Sequence, residues 1–300
     1  MILIDYNQIA LSVLTNSEFK SQLSSGDEET VKNLVRHATI ATILSYKKKY
    51  GSKFGKVVIC CDGRKYWRKE IFPHYKAGRK KNRDASDLNW KLIFDCLSEM
   101  RTDFAEVFPY KVIHLDRAEA DDVIATLTEW SQENELIEQG LETESQPILI
   151  VSSDKDFKQL HSYKNVKQWS PMQKKFVTAT KQEIEEYKIE HIIKGDAGDG
   201  IPSVLCPDDF FVNKEEGSRA PAVTKKVLER YKDPNNLNES ERARYDRNKR
   251  LVSFEYIPSD VKQSIIDEYI QRNPKTDRMR IMNYLIKHKC RLLLDSLEEF

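Results

Sequence analysis

The side chains best suited to chemistry in this 300-residue chain are carboxylates, and they recur at one kind of place. Asp5, Asp62 and Asp154 each follow an apolar run: Met1-Ile-Leu-Ile, Val57-Val-Ile-Cys-Cys, and Pro147-Ile-Leu-Ile-Val with two serines between. Asp156 stands two residues beyond Asp154. Glu119-Ala-Asp121-Asp122 opens a helical pattern, and Gly195-Asp196-Ala-Gly-Asp199-Gly-Ile-Pro202 sets two further acids on a turn-forming frame. Any one aspartate after a strand is ordinary, because Asp favours turns and helix N-caps; Asp122 fits that capping role best. Taken together they are not ordinary. Two unit charges about 4 Å apart repel by about 4 kcal/mol at an effective dielectric of ~20. Such a cluster is tolerable only around cations or with raised pKa values. All-oxygen ligands point to Mg2+ or Mn2+ rather than zinc, and the six histidines (His37, His74, His114, His161, His191, His288) are scattered. Two such ions about 3.5–4 Å apart activate a water and stabilise a leaving oxygen at a phosphate.

A second group of residues supplies the opposite charge. The chain has 49 basic and 48 acidic residues, yet positions 64–83 carry nine cations against Glu70 alone. Tyr66, Trp67, Phe72 and Tyr75 are interleaved with them. Cations neutralise phosphates and aromatics stack on bases, the requirements of a surface for single strands. Residues 275–291 hold six basic residues and one acid, while 129–147 hold six glutamates and no Lys or Arg, which reads as a solvated face. An acidic divalent-ion site beside a basic aromatic loop is the physical description of a nuclease.

The elements that must position these groups are legible as alternating strands and helices. Strands are expected at 1–5, 57–62, 111–116 and 147–154, and helical spacing at 31–50, 93–104 and 119–130. Near-continuous apolar strands between helices predict an α/β fold with a parallel-type central sheet covered on both faces. In such a sheet ligands bind outside the carboxyl ends of the strands, where Asp5, Asp62 and Asp154 fall. Beyond about residue 180 only helices are expected, at 181–194, 222–231, 240–250, 259–271 and 278–290. The division is therefore an α/β domain over 1–180, with the basic region at 64–86, and a smaller helical domain over 181–300. No apolar run approaches the ~20 residues a bilayer requires, so no membrane association is expected. Five cysteines without a Cys-x-x-Cys, and no secretory leader pattern, predict a reduced cytoplasmic protein. The basic block has no evident core for its aromatics, and residues 64–86 are expected to order only on nucleic acid.

These residues, in this order, resemble the flap endonuclease / 5′-nuclease superfamily, on the side of the RNase H enzymes (5′→3′ exonucleases) of T-even bacteriophages. The likeness runs over nearly the whole chain. It rests on Leu3-Ile-Asp5, Cys61-Asp62, Tyr66-Trp67-Arg68, Tyr75-Lys76-x-x-Arg79, Glu119-Ala-Asp121-Asp122, Ser152-Ser-Asp154-x-Asp156-Phe, Asn165-Val-Lys-Gln-Trp-Ser-Pro-Met172 and Lys194-Gly-Asp196-x-x-Asp199. The resemblance implies a 5′-nuclease/PIN-like fold with Asp5, Asp62, Glu119, Asp121 and Asp154 around a first Mg2+. Asp156, Asp196 and Asp199 would address a second ion, largely through water, with Mn2+ able to substitute. Lys76 and Arg79 would lie at the base of an arch and contact the scissile phosphate, on one helical face by their i, i+3 spacing. Tyr75 would stack on a terminal base. Lys80, Lys81 and Arg83 would concentrate substrate, and Lys225 and Lys226 would meet duplex phosphates.

The activity implied is hydrolysis of RNA in RNA–DNA hybrids and of duplex or flap DNA from 5′ ends, for removal of lagging-strand primers. A monomer in the host cytoplasm, working beside a single-strand DNA-binding protein and a sliding clamp, is the corresponding setting. Two departures stand out. Gly200 replaces the Asn of the family's Gly-Asp-x-x-Asp-Asn-Ile-Pro, and Pro207–Gly217 interrupts the helix–three-turn–helix that follows it. The acidic-apolar extension that precedes the first strand in the phage enzymes has no counterpart, leaving Leu294–Phe300 as a substitute clamp contact or a plain C-terminal helix. Rival readings are a Mg2+-dependent phosphohydrolase, a single-strand RNase and a non-catalytic binding protein. The first wants Asp-x-Asp where Asp5-Tyr-Asn7 stands; the last would have lost metal aspartates, and none is lost.

Overall fold

In the computed structural model, which describes residues 1–14, 27–84, 86, 88–133, 146–213 and 219–300, the four apolar runs form parallel strands. These are β1 (Ile2–Asp5), β2 (Val57–Cys61), β3 (Lys111–His114) and β4 (Ile148–Val151). Two further strands, β5 (Val166–Ser170) and β6 (Lys175–Val177), complete a sheet of order β3-β2-β1-β4-β5-β6. β5 runs parallel to β4, and β6 turns back antiparallel. Neither was expected from the sequence. The five residues of β5 alternate buried with exposed or half-buried rather than forming an apolar run, and β6 is three residues long.

Every residue of β1, β2 and β4 is buried, so the sheet is covered on both faces. Ile2, Ile4, Val57, Ile59 and Val151 belong to one core cluster. That cluster includes residues of α1 (Tyr6–Leu14), α2 (Glu28–Phe54) and α5 (Trp90–Glu106). Alternate residues such as Leu3 and Val58 face the other side, where α6 (Ala120–Glu133) packs on β1 and β2. Local chemistry sets the helix ends: Asp27 caps α2 by accepting from Thr30 N–H, and Asn89 caps α5 by accepting from Leu92 N–H.

The chain divides into two compact units that do not follow its linear order. The first comprises 1–64, 87–178 and 259–300, and the second 65–86 with 179–258. One boundary falls between 178 and 179, and the C-terminal stretch 259–300 belongs to the first unit. Helix α10 (Ser259–Gln271) packs against α6 and β3. Ile281 and Leu285 of α11 (Arg278–Lys287), with Leu293 and Phe300, enter the core cluster of α2 and α5. Phe300 lies against Phe108, with ring centroids 5.5 Å apart, so the C-terminal aromatic is core rather than a free clamp contact.

In the second unit, α7 (Lys181–Lys194), α8 (Lys225–Tyr231) and α9 (Glu239–Val252) join α3 (Trp67–Ile71) and α4 (Arg79–Asp84). A capping box between Thr180 and Glu183 starts α7. The basic block does have a core for its aromatics, contrary to expectation. Phe72 and Tyr75 pack with Ile192, Ile193, Tyr245 and Leu251, Tyr66 packs against the same cluster, and Trp67 is buried. Arg68 is also buried; its Nε donates to the Leu251 carbonyl at 2.9 Å. The described part of 65–86 is therefore packed, helical and turn structure. Most of the glutamate run at 129–147, and residues 214–218 of the interruption, lie outside the described residues.

Candidate active site

Because β2, β1, β4 are parallel neighbours, their carboxyl ends bring three of the expected acids to one edge of the first unit. Asp5 ends β1, Asp62 follows β2 directly, and Asp154 lies three residues past β4. β3 pairs with β2, and the turn after it delivers Glu119 and Asp121 at the start of α6. Glu119 is buried, and Asp122 is fully buried with Oδ2 accepting from Glu119 N–H at 2.9 Å. The capping role assigned to Asp122 is thus the one it has. Asp156 begins a 3-10 turn over Asp156–Ser162, and its N–H donates to Asp154 Oδ1 at 2.9 Å.

Each carboxylate is held by neighbours that sequence reasoning did not single out. Asp62 accepts from Asn7 Nδ2 at 2.7 Å and from Ala120 N–H at 2.9 Å, which ties β2 to the start of α6. Asp5 accepts from Gln8 N–H at 3.2 Å and Ser152 Oγ at 3.0 Å. Gly63 lets β2 end this way: a Cβ there would stand 2.1 Å from the Leu115 carbonyl oxygen. The available signal was a glycine directly after a strand-terminal aspartate, a mark of close backbone approach.

The site's electrostatics follow from this crowding. Burial, together with the nearby charges of Asp62 and Asp154, raises Asp5 from an ordinary 3.8 to about 7, against the opposing hydrogen bonds from Gln8 and Ser152. An all-oxygen set of carboxylates, one of them raised to about 7 by burial and by its neighbours' charge, fits a hard divalent cation. Among the described residues no three His, Cys, Asp or Glu side chains converge closely enough, as they stand, to hold an ion.

Asp196 and Asp199 belong to the second unit. Asp196 Oδ1 accepts from Gly198 and Asp199 N–H groups, and Oδ2 lies 3.4 Å from His191 Nε2. The His191 contact and these N–H groups hold its carboxyl down at about 2 despite burial. Gly200 has φ +70°, the left-handed region that glycine and asparagine both enter readily. The replacement of the family's Asn therefore preserves the turn.

Asp199 gathers the expected phosphate-binding residues. Tyr75 OH donates to Oδ2 at 2.8 Å, Arg79 Nη2 donates to Oδ1 at 2.6 Å, and Lys76 Nζ is 3.7 Å from Oδ2. Two expectations need correction. Tyr75 is only 3% exposed and meets Tyr66 edge-on, so its ring is not presented for stacking on a base. Lys76 is not on a helix with Arg79; it sits in a turn with φ +58°, its N–H donating to the Asp199 carbonyl at 2.7 Å, and α4 starts only at Arg79. The two cations still converge, through the turn rather than through helical spacing. Arg83 lies on α4; the side chains of Lys80 and Lys81 are outside the described residues. Lys225 and Lys226 are exposed in the first turn of α8.

Residues 1–190 match the family described as 5′-3′ exonuclease, N-terminal resolvase-like domain, and residues 182–300 match T4 RNase H, C terminal. The chain is 34% identical over 307 aligned positions to the ribonuclease H of Enterobacteria phage T4, covering 99% of this chain and 95% of that protein. It is 30% identical to the flap endonuclease Xni of Shewanella denitrificans, over 59% of this chain and 64% of that one. Among solved structures it resembles the T5 D15 protein co-crystallised with metal ions, with a TM-score of 0.58 at 18% identity, over 90% of this chain and 98% of that chain. A complex of the bacteriophage T5 D15 flap endonuclease with DNA and metal ions matches at the same TM-score of 0.58 and 17% identity, covering 90% and 99%. At these identities the structural likeness speaks for the fold. With a family match over its first 190 residues and a whole-length relative at 34% identity, the chain belongs to the 5′-3′ exonuclease family and carries the T4 RNase H type of C-terminal domain.

Proposed function

We propose that the chain is a divalent-metal-dependent nuclease. It hydrolyses phosphodiesters from 5′ ends, in the RNA of RNA–DNA hybrids and in duplex or flap DNA, and serves removal of RNA primers in replication. The observation that carries this reading is the edge where Asp5, Asp62, Glu119, Asp121 and Asp154 are delivered by neighbouring parallel strands, with Asp5 raised by burial and by its neighbours' charge. Relatives named as ribonuclease H and flap endonuclease support the substrate class.

In this reading Asp5, Asp62, Glu119, Asp121 and Asp154 hold one Mg2+, and Asp156, Asp196 and Asp199 serve a second. The ions, when bound, would supply an activated water and stabilise the leaving oxygen. The chain's own groups do the rest. Asn7 and the Ala120 N–H fix the Asp62 carboxylate, and Ser152 and Gln8 fix Asp5. Lys76 and Arg79, which pair with Asp199 in the protein alone, are suited to offset charge building on phosphate oxygens during attack. Lys80, Lys81, Arg83, Lys225 and Lys226 hold the polyanion through its backbone, which positions without reading sequence. A single-strand DNA-binding protein and a sliding clamp are the partners such an activity would have.

The test is cleavage of a 5′-labelled RNA–DNA hybrid and a flap duplex, with Mg2+ or with EDTA. Hydrolysis only with Mg2+, lost in a folded Asp121→Asn protein, is expected; near-normal Mg2+-dependent turnover by that variant would sink the ligand assignment. At saturating enzyme, Lys76→Ala should cut the single-turnover rate about a hundredfold and Lys81→Ala should leave it near wild type. Equal rates would remove Lys76 from the chemistry.

A further inference from the structure

Strand β5 carries an interior residue that its burial does not explain. Val166, Gln168 and Ser170 face one side of the sheet, and Gln168 is 1% exposed. An apolar residue would fill such a place on a strand without any polar group to satisfy. Gln168 instead uses all of its hydrogen-bonding directions but one. Its Nε2 donates to the Ser152 carbonyl at 2.9 Å and to the Asp154 carbonyl at 2.7 Å, and its Oε1 lies 2.9 Å from His161 Nε2.

The two carbonyls bracket Ser153 in the segment just past β4, where the last ladder bond runs from Ser152 N–H to the Trp169 carbonyl at 3.1 Å. Two donors from one amide clamp that segment on both sides of the residue preceding Asp154. The same hairpin grips it again, since Ser170 Oγ lies 2.9 Å from Ser153 Oγ and Met172 N–H donates to Ser153 Oγ at 3.0 Å. The orientation of the amide is determined. Turned over, Oε1 would face two carbonyl oxygens, so the Nε2 side must point to them. His161 must then carry its proton on Nε2 to donate to Oε1. Burial lowers the pKa of His161, in keeping with a neutral ring.

We infer that Gln168 is a positioning residue for the metal site: it sets the aim of the Asp154 carboxylate by clamping the main chain around Ser153, and His161 orients the clamp. The inference rests on the proposed reading of Asp154 as a metal ligand. Partners of this kind, one bond removed from a ligand, typically alter metal affinity or activity 10–100-fold when changed.

The experiment measures binding of Mn2+ alone, by electron paramagnetic resonance, to the full chain and to Asp154→Asn, Gln168→Glu, Gln168→Met and His161→Phe. Gln168→Glu keeps the shape but sets oxygen against both carbonyls; Gln168→Met keeps the length and removes the donors. Both should weaken by about tenfold or more the Mn2+ that Asp154→Asn releases, and raise by a similar factor the Mg2+ needed for half-maximal hydrolysis. The KM for the hybrid should be unchanged, and the rate at saturating Mg2+ should recover to within a few-fold of wild type. His161→Phe should move Mn2+ affinity the same way by a smaller factor, and carries the test if the Gln168 variants do not fold. A folded Gln168 variant with wild-type Mn2+ affinity, while Asp154→Asn has lost it, overturns the inference; a purely structural role would lower Tm in this way without moving affinity. Wild-type Mn2+ binding by Asp154→Asn would instead overturn the reading of Asp154, and the inference with it.

Discussion

The raised pKa of Asp5 is the residue-scale signature of this site. Burial is the larger cause of its elevation to about 7, and the carboxylates of Asp62 and Asp154 add to it. Because the folded-state value lies above the ordinary 3.8, the group favours folding fully at pH below about 4. That contribution is lost as pH rises towards 7, at up to about 1.4 kcal/mol per pH unit. In EDTA, the Tm should therefore carry a falling component between pH 4.5 and 7.5, and Asp5→Asn should flatten it. Added Mg2+ should raise Tm more at pH 7.5 than at 4.5, since a cation competes with that proton for the same oxygens. Scanning calorimetry at the two pH values decides; a Tm response to Mg2+ that is equal at both would remove Asp5 from the ion's surroundings.

At the scale of elements, the basic segment 65–86 divides its residues between two tasks. Its aromatics Phe72 and Tyr75 join the core of the second unit, while Lys76 and Arg79 gather at Asp199. Packing of the aromatics holds the turn that sets Lys76 at φ +58°, a conformation a non-glycine residue keeps only when its surroundings enforce it. Phe72→Ala should cost the second unit about 3–5 kcal/mol, the usual range for a buried Phe. Proteolysis within 65–86 should then speed up even without nucleic acid. Wild-type stability in that variant, read by urea titration, would show that the segment is not anchored through its aromatics.

For the whole molecule, the C-terminal return to the first unit matters most. Val261 and Ile265 of α10, and Ile281, Leu285, Cys290, Leu293 and Phe300 beyond it, are all buried. A chain ending at Pro258 would uncover both α6 and the α2–α5 cluster, one on each face of the sheet. That truncation should not give a cooperatively unfolding first unit, and its thermal transition should be lost or broadened. A sharp transition near the full-length Tm would contradict the partition. Tyr284 adds a polar tie there, its hydroxyl donating to Asp103 of α5 at 2.8 Å.

Much of this was legible along the chain because periodicity reports which face of an element is buried. Apolar runs closing on Asp marked β1, β2 and the approach to Asp154. Parallel neighbours must align their carboxyl ends, so the placement of Asp5, Asp62 and Asp154 on one edge followed from the strands, while Glu119 and Asp121, at the start of a helix, needed a right-handed crossover as well. Helices α5, α6, α7, α10 and α11 followed from spacing within a few residues. What only the tertiary structure decided is who meets whom. Tyr75 in a cationic stretch has the composition of a stacking platform, and long-range packing with Ile192 and Tyr245 makes it core. Lys76 and Arg79 have helical spacing, but Lys76 sits in a turn at φ +58° with its N–H on the Asp199 carbonyl. Asn7 and Gln168 have no local pattern to announce them, since an amide's role here lies in the oxygens it reaches, and those are brought by other strands. Residues 259–300 could pack on either unit by their own amphipathic spacing. They cover the first because its sheet leaves apolar surface on both faces, a property of the assembled strands and of no single segment.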